Sequence, residues 1–432
     1  MFNKIVATVI LMKKENSNVV TVKEVEEFAV TLNGGSSSLK ASLYQKGFGQ
    51  LFSANCINLG TAASAIKFEI NGSKEVANVA LQNHSDAIKE IREFMRSRFT
   101  GVIPVAIGHR LVHGGDLIKK AMLVDERVKA EIKACFSLAP LHNPANLDGI
   151  KAVDGDSEWS KLSQTVTPDT AFHVNMPFWA KQYGVSKQWQ EQYGLERYGF
   201  HGTSYEYVSR MFKLFNLLPT EENNVVIAHL GNGCSMAKIQ GGVGVDTSMG
   251  LTPLEGLIGG TRSGDIDFGA IVMIAKQLGK TIEQMEEILN KDSGLLSMYG
   301  KGTKEMYEIR MAAEKGDQEA LAVMKIVAYR VAKYFSSYLG TMDSPKGIVF
   351  TGGIGENDGF FRKLVLDFMP FFQFQILSAN SKRGDTVKIA TTPFLQHGAW
   401  VIPTNEELIL AEDALSVAKT GVSPKLYSFE IP

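Results

Sequence analysis

At 432 residues, 44% apolar and 21% charged, the chain is long enough for two domains and has the composition of an ordinary globular protein. A formal net charge of −1 excludes a role in coating nucleic acid or another polyanion, so any positive field is local to a site. Three cysteines (Cys56, Cys135, Cys234) without paired spacing exclude a disulfide framework and a zinc cluster, and fit a reducing cytoplasm.

Ile5–Met12 is apolar but short, and charged residues follow it without a small-residue cleavage site, so neither a membrane span nor a signal peptide is expected. Phe28–Tyr44, FAVTLNGGSSSLKASLY, reads as a strand to Leu32, a polar turn from Asn33 to Ser38 and a returning strand. Glycines let backbone N–H groups approach a ligand closely and the serines add donors, which suits phosphate. On its own such a hairpin is more readily an ordinary turn. Asn55–Ile70 is strand-like, and Ser85–Phe99 carries Ile88, Ile91, Phe94 and Met95 at helical spacing.

Val102–Gly108 reads as a strand that delivers Arg110 beside Gly114-Gly115, poised either for a cleft or for a surface ion pair. At Leu138–Ile150, Asn143 is expected to cap a helix with Pro144 at its first position. His142 then sits before the helix N-terminus, where the partial positive charge favours a neutral hydrogen-bond donor. Thr165–Met176 brings Asp169 and also His173, which reads as structural. Thr203 and Glu206 have capping-box spacing, placing His201 beside a second helix start.

Val225–Ile239 repeats the first hairpin's grammar, with Gly231, Asn232, Gly233, Cys234 and Ser235 between two strand-like runs. Two such hairpins half a chain apart suggest a duplicated domain. The Gly-rich loop Val245–Asp267 presents Arg262 and reads as a mobile phosphate clamp or a solvated turn. Gln318–Leu339 is a long helix with one apolar face, and Gly347–Asn357 a strand ending in Gly352-Gly353 and Gly355. Near the end, Thr404 and Glu407 have capping-box spacing, which leaves Glu406 as the carboxylate available to a metal.

Together LNGGSSSLK, HRLVHGGD, LAPLHNPANLDGI, DTAFH, YGFHGTS, HLGNGCS, VDTSMGLTPLEGLIGGTRSGDID, FTGGIGEN and PTNEEL resemble the acetate kinase family, in the family's order and over nearly all of the chain from Phe28. The resemblance implies an α/β fold of two duplicated ribonuclease-H-like (actin-like ATPase) domains with the active-site cleft between them. It implies an N-terminal domain of 27–168 plus 406–432, a nucleotide-binding and dimerising C-terminal domain of 169–405, and an extension, 1–26, expected to be poorly ordered. The implied reaction is direct, reversible in-line transfer from ATP to acetate, giving acetyl phosphate and ADP. Mg2+ or Mn2+ is the implied ion and a cytoplasmic homodimer the implied state, with neither nucleic acid nor membrane as partner.

Residue by residue, the resemblance assigns Arg110 and Arg262 to the carboxylate and the transferring phosphoryl group, where planar bidentate cations serve best. His201 and Asn232 would stabilise that group, and His142 would bond the acyl oxygen. Asn33, Asp169 and Glu406 would serve the metal. Asn33, Ser36, Ser38, Lys40, His229, Gly231, Asn232 and Gly233 would organise the phosphates; Gly352, Gly353, Ile354, Gly355 and Asn357 would lie beneath the adenosine. Val112, Leu141, Phe200 and Pro253, beside Arg110, would take the acyl methyl group. Valine at 112 favours acetate over propionate, though one methylene is discriminated by only about 1–3 kcal/mol. A propionate or butyrate kinase is the alternative within the class, and a non-catalytic nucleotide switch the alternative outside it. Three positions depart from the pattern: Gly35; Tyr205, where histidine is usual; and Phe268, where proline is expected. They are read as changes of local loop geometry that touch no catalytic group.

Overall fold

The computed structural model describes residues 20–21, 27–47, 49–377 and 384–423. Among them, the residues up to Ala171 together with those from Glu406 onward form one compact unit, and Phe172–Asn405 form another. The expectation for 1–26 falls outside the described residues except at Val20–Thr21, which pair with Phe99–Thr100.

The first unit is built on β1 (Phe28–Gly35), β2 (Ser38–Gln45), β3 (Gly49–Ile57), β4 (Ala65–Ile70), β5 (Ser73–Ala77), β6 (Pro104–Leu111), β7 (Met122–Leu123) and β8 (Ser163–Pro168), in the sheet order β5-β4-β3-β2-β1-β6-β8-β7. Alternation along β1 sorts its side chains between two cores. Phe28, Val30 and Leu32 pack with Ile88 and Ile91 of the helix His84–Arg98 and Val153 of the helix Asn143–Asp154. Ala29 turns to the other face, with Ala106, Ala411 and Ala414 under the helix Glu406–Thr420. Small residues let that helix lie close. A Cβ on Gly108 would sit 2.5 Å from the Leu410 carbonyl oxygen.

The second unit repeats the frame with β9 (Val225–Leu230), β10 (Cys234–Gln240), β11 (Val243–Thr247), β12 (Gly347–Thr351), β13 (Gln375–Ile376), β14 (Val387–Thr392) and β15 (Leu395–Val401), ordered β11-β10-β9-β12-β15-β14-β13. In each unit a three-strand antiparallel meander is followed by two strands added in parallel: β3-β2-β1-β6-β8 in the first, β11-β10-β9-β12-β15 in the second. This common order is the duplication expected from the paired hairpins, in the ribonuclease-H-like frame that the resemblance implied. Every residue of β9 is buried. Val226, Ala228 and Leu230 face the helix Gln318–Gly340, while Val225 and Ile227 face Val208 and Phe212 of the helix Gly202–Phe215. Burying each such large apolar side chain contributes roughly 1.5–3 kcal/mol. The third glycine-rich turn is not a hairpin: β12 runs straight into a short helix, Gly352–Asn357.

Candidate active site

In the first unit the site grows from the end of β6. Arg110 sits opposite Thr167 in the parallel ladder, and β8 ends one residue before Asp169, so the two charged side chains meet where the strands stop. Arg110 Nε donates to Asp169 Oδ1 at 2.9 Å and Nη2 to Oδ2 at 2.7 Å, a two-pronged clamp, and Nη1 lies 3.4 Å from Glu406 Oε2. Burial works against the guanidinium charge, but Asp169 and then Glu406 more than offset it and push its pKa upward. Asp169 is 1% exposed. The sequence left Glu406 as the unengaged carboxylate; the structure puts it on Arg110, at the first position of the closing helix. Glu407, half-buried next to it, has its pKa raised by desolvation and by the Glu406 charge.

The segment after Arg110 is held by two asparagines that the sequence reading missed. Asn143 was expected to cap its helix; instead His142 occupies the N-cap position and Asn143 is the first helical residue. The reason is tertiary. Asn143 Oδ1 accepts from His113 N and its Nδ2 donates to His113 O, both at 3.0 Å, so its side chain is committed to another segment. One turn on, Asn146 donates to Gly34 O at 2.9 Å and accepts from Val112 N at 3.2 Å, tying the first hairpin to Val112. The i, i+3 spacing of two amides on one helix face was the available signal. Gly34 must be glycine here, since a Cβ would fall 2.9 Å from Ala145 O. In the hairpin Asn33 pairs with Lys40 and Gly35 with Ser38, and Ser36 and Ser37 are exposed at its tip. Val112 is buried and Leu141 is 38% exposed.

In the second unit the turn between β9 and β10 is the centre. Gly231 N donates to Gly233 O at 3.1 Å, closing the turn around an exposed Asn232. His229, near the end of β9, stacks on His201 with ring centres 4.4 Å apart and planes inclined by 17°. A Cβ on Gly233 would lie 3.2 Å from His201 Nε2 and 3.7 Å from Arg262 Nη1, and one on Gly231 3.9 Å from His229 Nε2. The glycines therefore leave a concave backbone onto which two imidazoles and a guanidinium converge. His201 has a left-handed backbone (φ 56°) as N-cap of the helix Gly202–Phe215, strain of the kind stored at functional sites. It has no side-chain cap, and the Thr203 hydroxyl is buried without a partner, so the expected Thr203–Glu206 capping box is absent. His173, read as structural, is buried; its Nε2 bonds Phe200 O at 3.0 Å and burial holds its pKa down at about 4.

The Arg262 loop is tethered at several points along its backbone, which sets it apart from a simple solvated turn. Gly259 N donates to Arg262 O, Gly260 N to Asn232 O, Ser263 N to Leu289 O and Ser293 N to Thr261 O, at 2.9–3.0 Å. Asp265 accepts from Gly256 N and from the Tyr334 hydroxyl, both at 2.8 Å, and Glu255 binds Arg197 at 2.6 Å and Tyr183 at 2.8 Å. Burial lowers the pKa of Arg262.

Gly352 needs glycine twice over: its φ is +76° and a Cβ would meet Leu230 O at 2.7 Å. Gly353 beside it has open space on that side, which leaves room for a ligand against the backbone. Asn357 Nδ2 donates to Gly353 O at 2.8 Å. Beneath them lies Arg362, 2% exposed, donating to Gly355 O at 2.8 Å and Glu356 O at 3.0 Å. Glu356 Oε1 accepts from Gly352 N at 3.0 Å and Thr404 N at 3.1 Å. The closing helix starts at Glu406, so Thr404 lies one residue ahead of the N-cap position that the expected capping box needs, and its hydroxyl donates to Ser204 at 2.8 Å. Nothing in the spacing of Glu356, Arg362, Ser204 or Thr404 announces these contacts; only the fold brings them together.

Among the described residues no group of three or more histidines, cysteines or acids could enclose a metal by itself. A hard ion that takes one or two carboxylates and completes its shell with water and phosphate oxygens fits better. Asp169 and Glu406, anchored on one guanidinium, are the pair of hard ligands the structure holds side by side.

The model of the acetokinase family matches residues 28–412. The chain is 41% identical over 403 residues to the acetate kinase of Shewanella sp. (strain ANA-3), covering 90% of this chain and 98% of that protein. Its fold is similar to solved structures of a Porphyromonas gingivalis acetate kinase (34% identity, TM-score 0.82) and a Francisella tularensis propionate kinase (35% identity, TM-score 0.82), each over 90% of this chain and 99% of the other.

Proposed function

Because this chain belongs to the acetokinase family, and so is a kinase that transfers a phosphoryl group from ATP to acetate, we propose a division of that reaction among the residues gathered in its two units. One acetate oxygen attacks the γ-phosphorus; the bond to the β,γ-bridging oxygen breaks and ADP leaves with that electron pair. No proton moves. The protein's task is to hold two anions together and to neutralise the charge on the equatorial oxygens.

Arg110 receives the carboxylate and the incoming phosphoryl oxygens. Its clamp by Asp169 fixes the plane of the guanidinium, so orientation is settled before substrate arrives. Arg262, His201, His229 and Asn232 bind the phosphoryl oxygens around the Gly231–Gly233 turn, and His142 donates to the acyl oxygen. The hairpin residues Asn33, Ser36, Ser38 and Lys40 take phosphate oxygens, and the backbone at Gly352–Gly355, with Asn357, supports the adenosine. Val112, Leu141, Phe200 and Pro253 accept the methyl group. Mg2+, held by Asp169 and Glu406 with Asn33, would supply positive charge to the nucleotide phosphates. The approach of His201 Nε2 and Arg262 Nη1 to one glycine, Gly233, carries this reading, because it brings two donors to a single stretch of backbone that has no side chain of its own.

Acyl phosphate trapped as the hydroxamate, with ATP, Mg2+ and either acetate or propionate, tests it. Acetate turnover that Arg110→Ala and Arg262→Ala each reduce by about 10³ or more supports the assignment. Similarity to a propionate kinase makes propionate the second substrate to assay, and preference for it would overturn the reading of Val112. We assign the dimer to the second unit, whose helix Phe268–Leu278 exposes Phe268 (69%), Met273 (53%) and Leu278 (59%), with Ile282 (54%) just beyond. Sedimentation of Phe268→Glu tests that. Three free, buried cysteines support a cytoplasmic location, and no described helix is long and apolar enough to cross a membrane.

A further inference from the structure

His201 and His229 are each backed by a pair of hydroxyls, and the two pairs share no atom. Behind His201, Nδ1 lies 2.7 Å from Ser235 Oγ, and Ser235 Oγ is in turn hydrogen-bonded to the Tyr205 hydroxyl. Behind His229, Nδ1 lies 2.8 Å from Ser204 Oγ, which accepts from the Thr404 hydroxyl at 2.8 Å. Ser235 and Ser204 are both fully buried, as is Tyr205. Both rings point their opposite nitrogen, Nε2, at the Gly231–Gly233 turn.

A serine hydroxyl has one proton to give. Thr404 donates to Ser204, so the Ser204 proton is directed to His229 Nδ1. At Ser235 the same polarity follows from acidity: a phenol, with pKa about 10, is a far better donor than an alkyl hydroxyl, so Tyr205 donates and Ser235 passes its own proton towards His201 Nδ1. Each imidazole is then an acceptor at Nδ1, which places its ring proton on Nε2. His201 also stands at the N-cap of a 14-residue helix, whose end carries a partial positive charge.

We infer that Tyr205–Ser235 and Thr404–Ser204 are twin positioning relays that fix His201 and His229 as neutral Nε2–H donors aimed at the phosphoryl oxygens. The opposite tautomer would present a lone pair to an anion. Tyr205, which the resemblance set apart as a departure of loop geometry, lies inside the helix Gly202–Phe215 and reaches a proposed catalytic group through one serine. The role for the two histidines rests on the proposed function; the polarity of the relays does not.

The test uses the full-length protein labelled with 15N-histidine, its two resonance sets assigned by His201→Gln and His229→Gln. In the unsubstituted protein at pH 7.5, both rings are expected to show a pyridine-type Nδ1 and a pyrrole-type Nε2. Tyr205→Phe should disturb the His201 pattern and leave His229 alone; Thr404→Val should do the reverse. In parallel, Tyr205→Phe should lower kcat about 5- to 10-fold, the worth of one hydrogen bond, with the KM values for ATP and acetate nearly unchanged. Tyr205→His, which keeps a donor, should recover activity relative to the phenylalanine variant. A pyrrole-type Nδ1 on His201, or a His201 pattern indifferent to Tyr205→Phe, overturns the relay. Full phosphoryl transfer by His201→Gln would instead overturn the role assigned to the histidine while leaving the relay intact.

Discussion

The two units share one strand order, yet their surroundings shift the charge of their arginines in opposite directions. Arg110 is embraced by carboxylates: Asp169 grips it on two atoms, Glu406 stands 3.4 Å away, and the charge is held more firmly than in water. Arg262 lies in a loop pinned at several backbone N–H groups, and burial weakens its charge. Duplication supplied the frame; the divergence lies in the loops and side chains beyond the strand ends. A cation compensated in advance is suited to orienting a carboxylate, which brings a single charge. A desolvated cation gains most when a multiply charged phosphoryl group arrives.

Removing the clamp is the strongest way to break this comparison. Asp169→Ala leaves a half-buried guanidinium without its two-pronged partner, a loss bounded by the about 3–5 kcal/mol of a fully buried pair because Glu406 remains beside it. It should abolish acetyl phosphate formation and lower the melting temperature together. If Asp169→Ala melts like the parent, Arg110 is positioned by something else and the contrast fails.

Acid should then strain both units in the same way. Burial pushes the pKa of His109 down to about 4, against some support from Gln164, and that of His173 to about 4 as well. Between pH 6.5 and 4 the unfolded chain takes up a proton at each position while the folded chain does not. Stability is therefore complete above about pH 6.5 and lost as the pH falls towards 4, by at most about 3 kcal/mol per histidine. Denaturant melts at pH 7, 6 and 5 should show this decline, and His109→Gln or His173→Gln should flatten it. An unchanged acid limb in either variant assigns the decline elsewhere.

The frame was legible because periodicity and turn chemistry are local. The hairpins at Asn33–Ser38 and Gly231–Ser235 and the helix Gln318–Gly340 arise from residues that are neighbours in sequence. Arg110, Asp169 and Glu406 stood out by resemblance, but their mutual ion pairs did not, since the three lie on elements far apart in the chain. Helix ends misled most. Asn143, Thr203 and Thr404 all have the spacing or residue type of caps, and each is placed otherwise: on His113, in a buried site without a partner, and on Ser204. Capping is a local bargain worth about 1 kcal/mol, and a buried tertiary hydrogen bond in competition for the same side chain wins when its loss would strand a polar group.

A gentler contrast concerns the two apolar residues beside the charges. Val112 is fixed through its N–H by Asn146, and Phe200 through its carbonyl by His173. Asn146→Asp keeps the shape but sets a carboxylate oxygen against Gly34 O; it should cost about 1–3 kcal/mol and raise the KM for acetate more than that for ATP. His173→Gln at pH 7.5, which keeps an N–H for Phe200, should leave both KM values close to the parent.

The smallest effect is the most specific. Val112→Ala removes two methyl groups from a buried side chain without touching a hydrogen bond, since Asn146 holds the backbone and not the side chain. The space gained is about what one further methylene needs, so kcat/KM for propionate relative to acetate should rise by roughly tenfold, near 1.4 kcal/mol. Because the arginines and histidines are untouched, the change should appear in the ratio of the two acids and leave the KM for ATP unmoved. A fall with both acids and no change in ratio would place the acyl chain away from Val112, and would leave the first unit with the carboxylate alone.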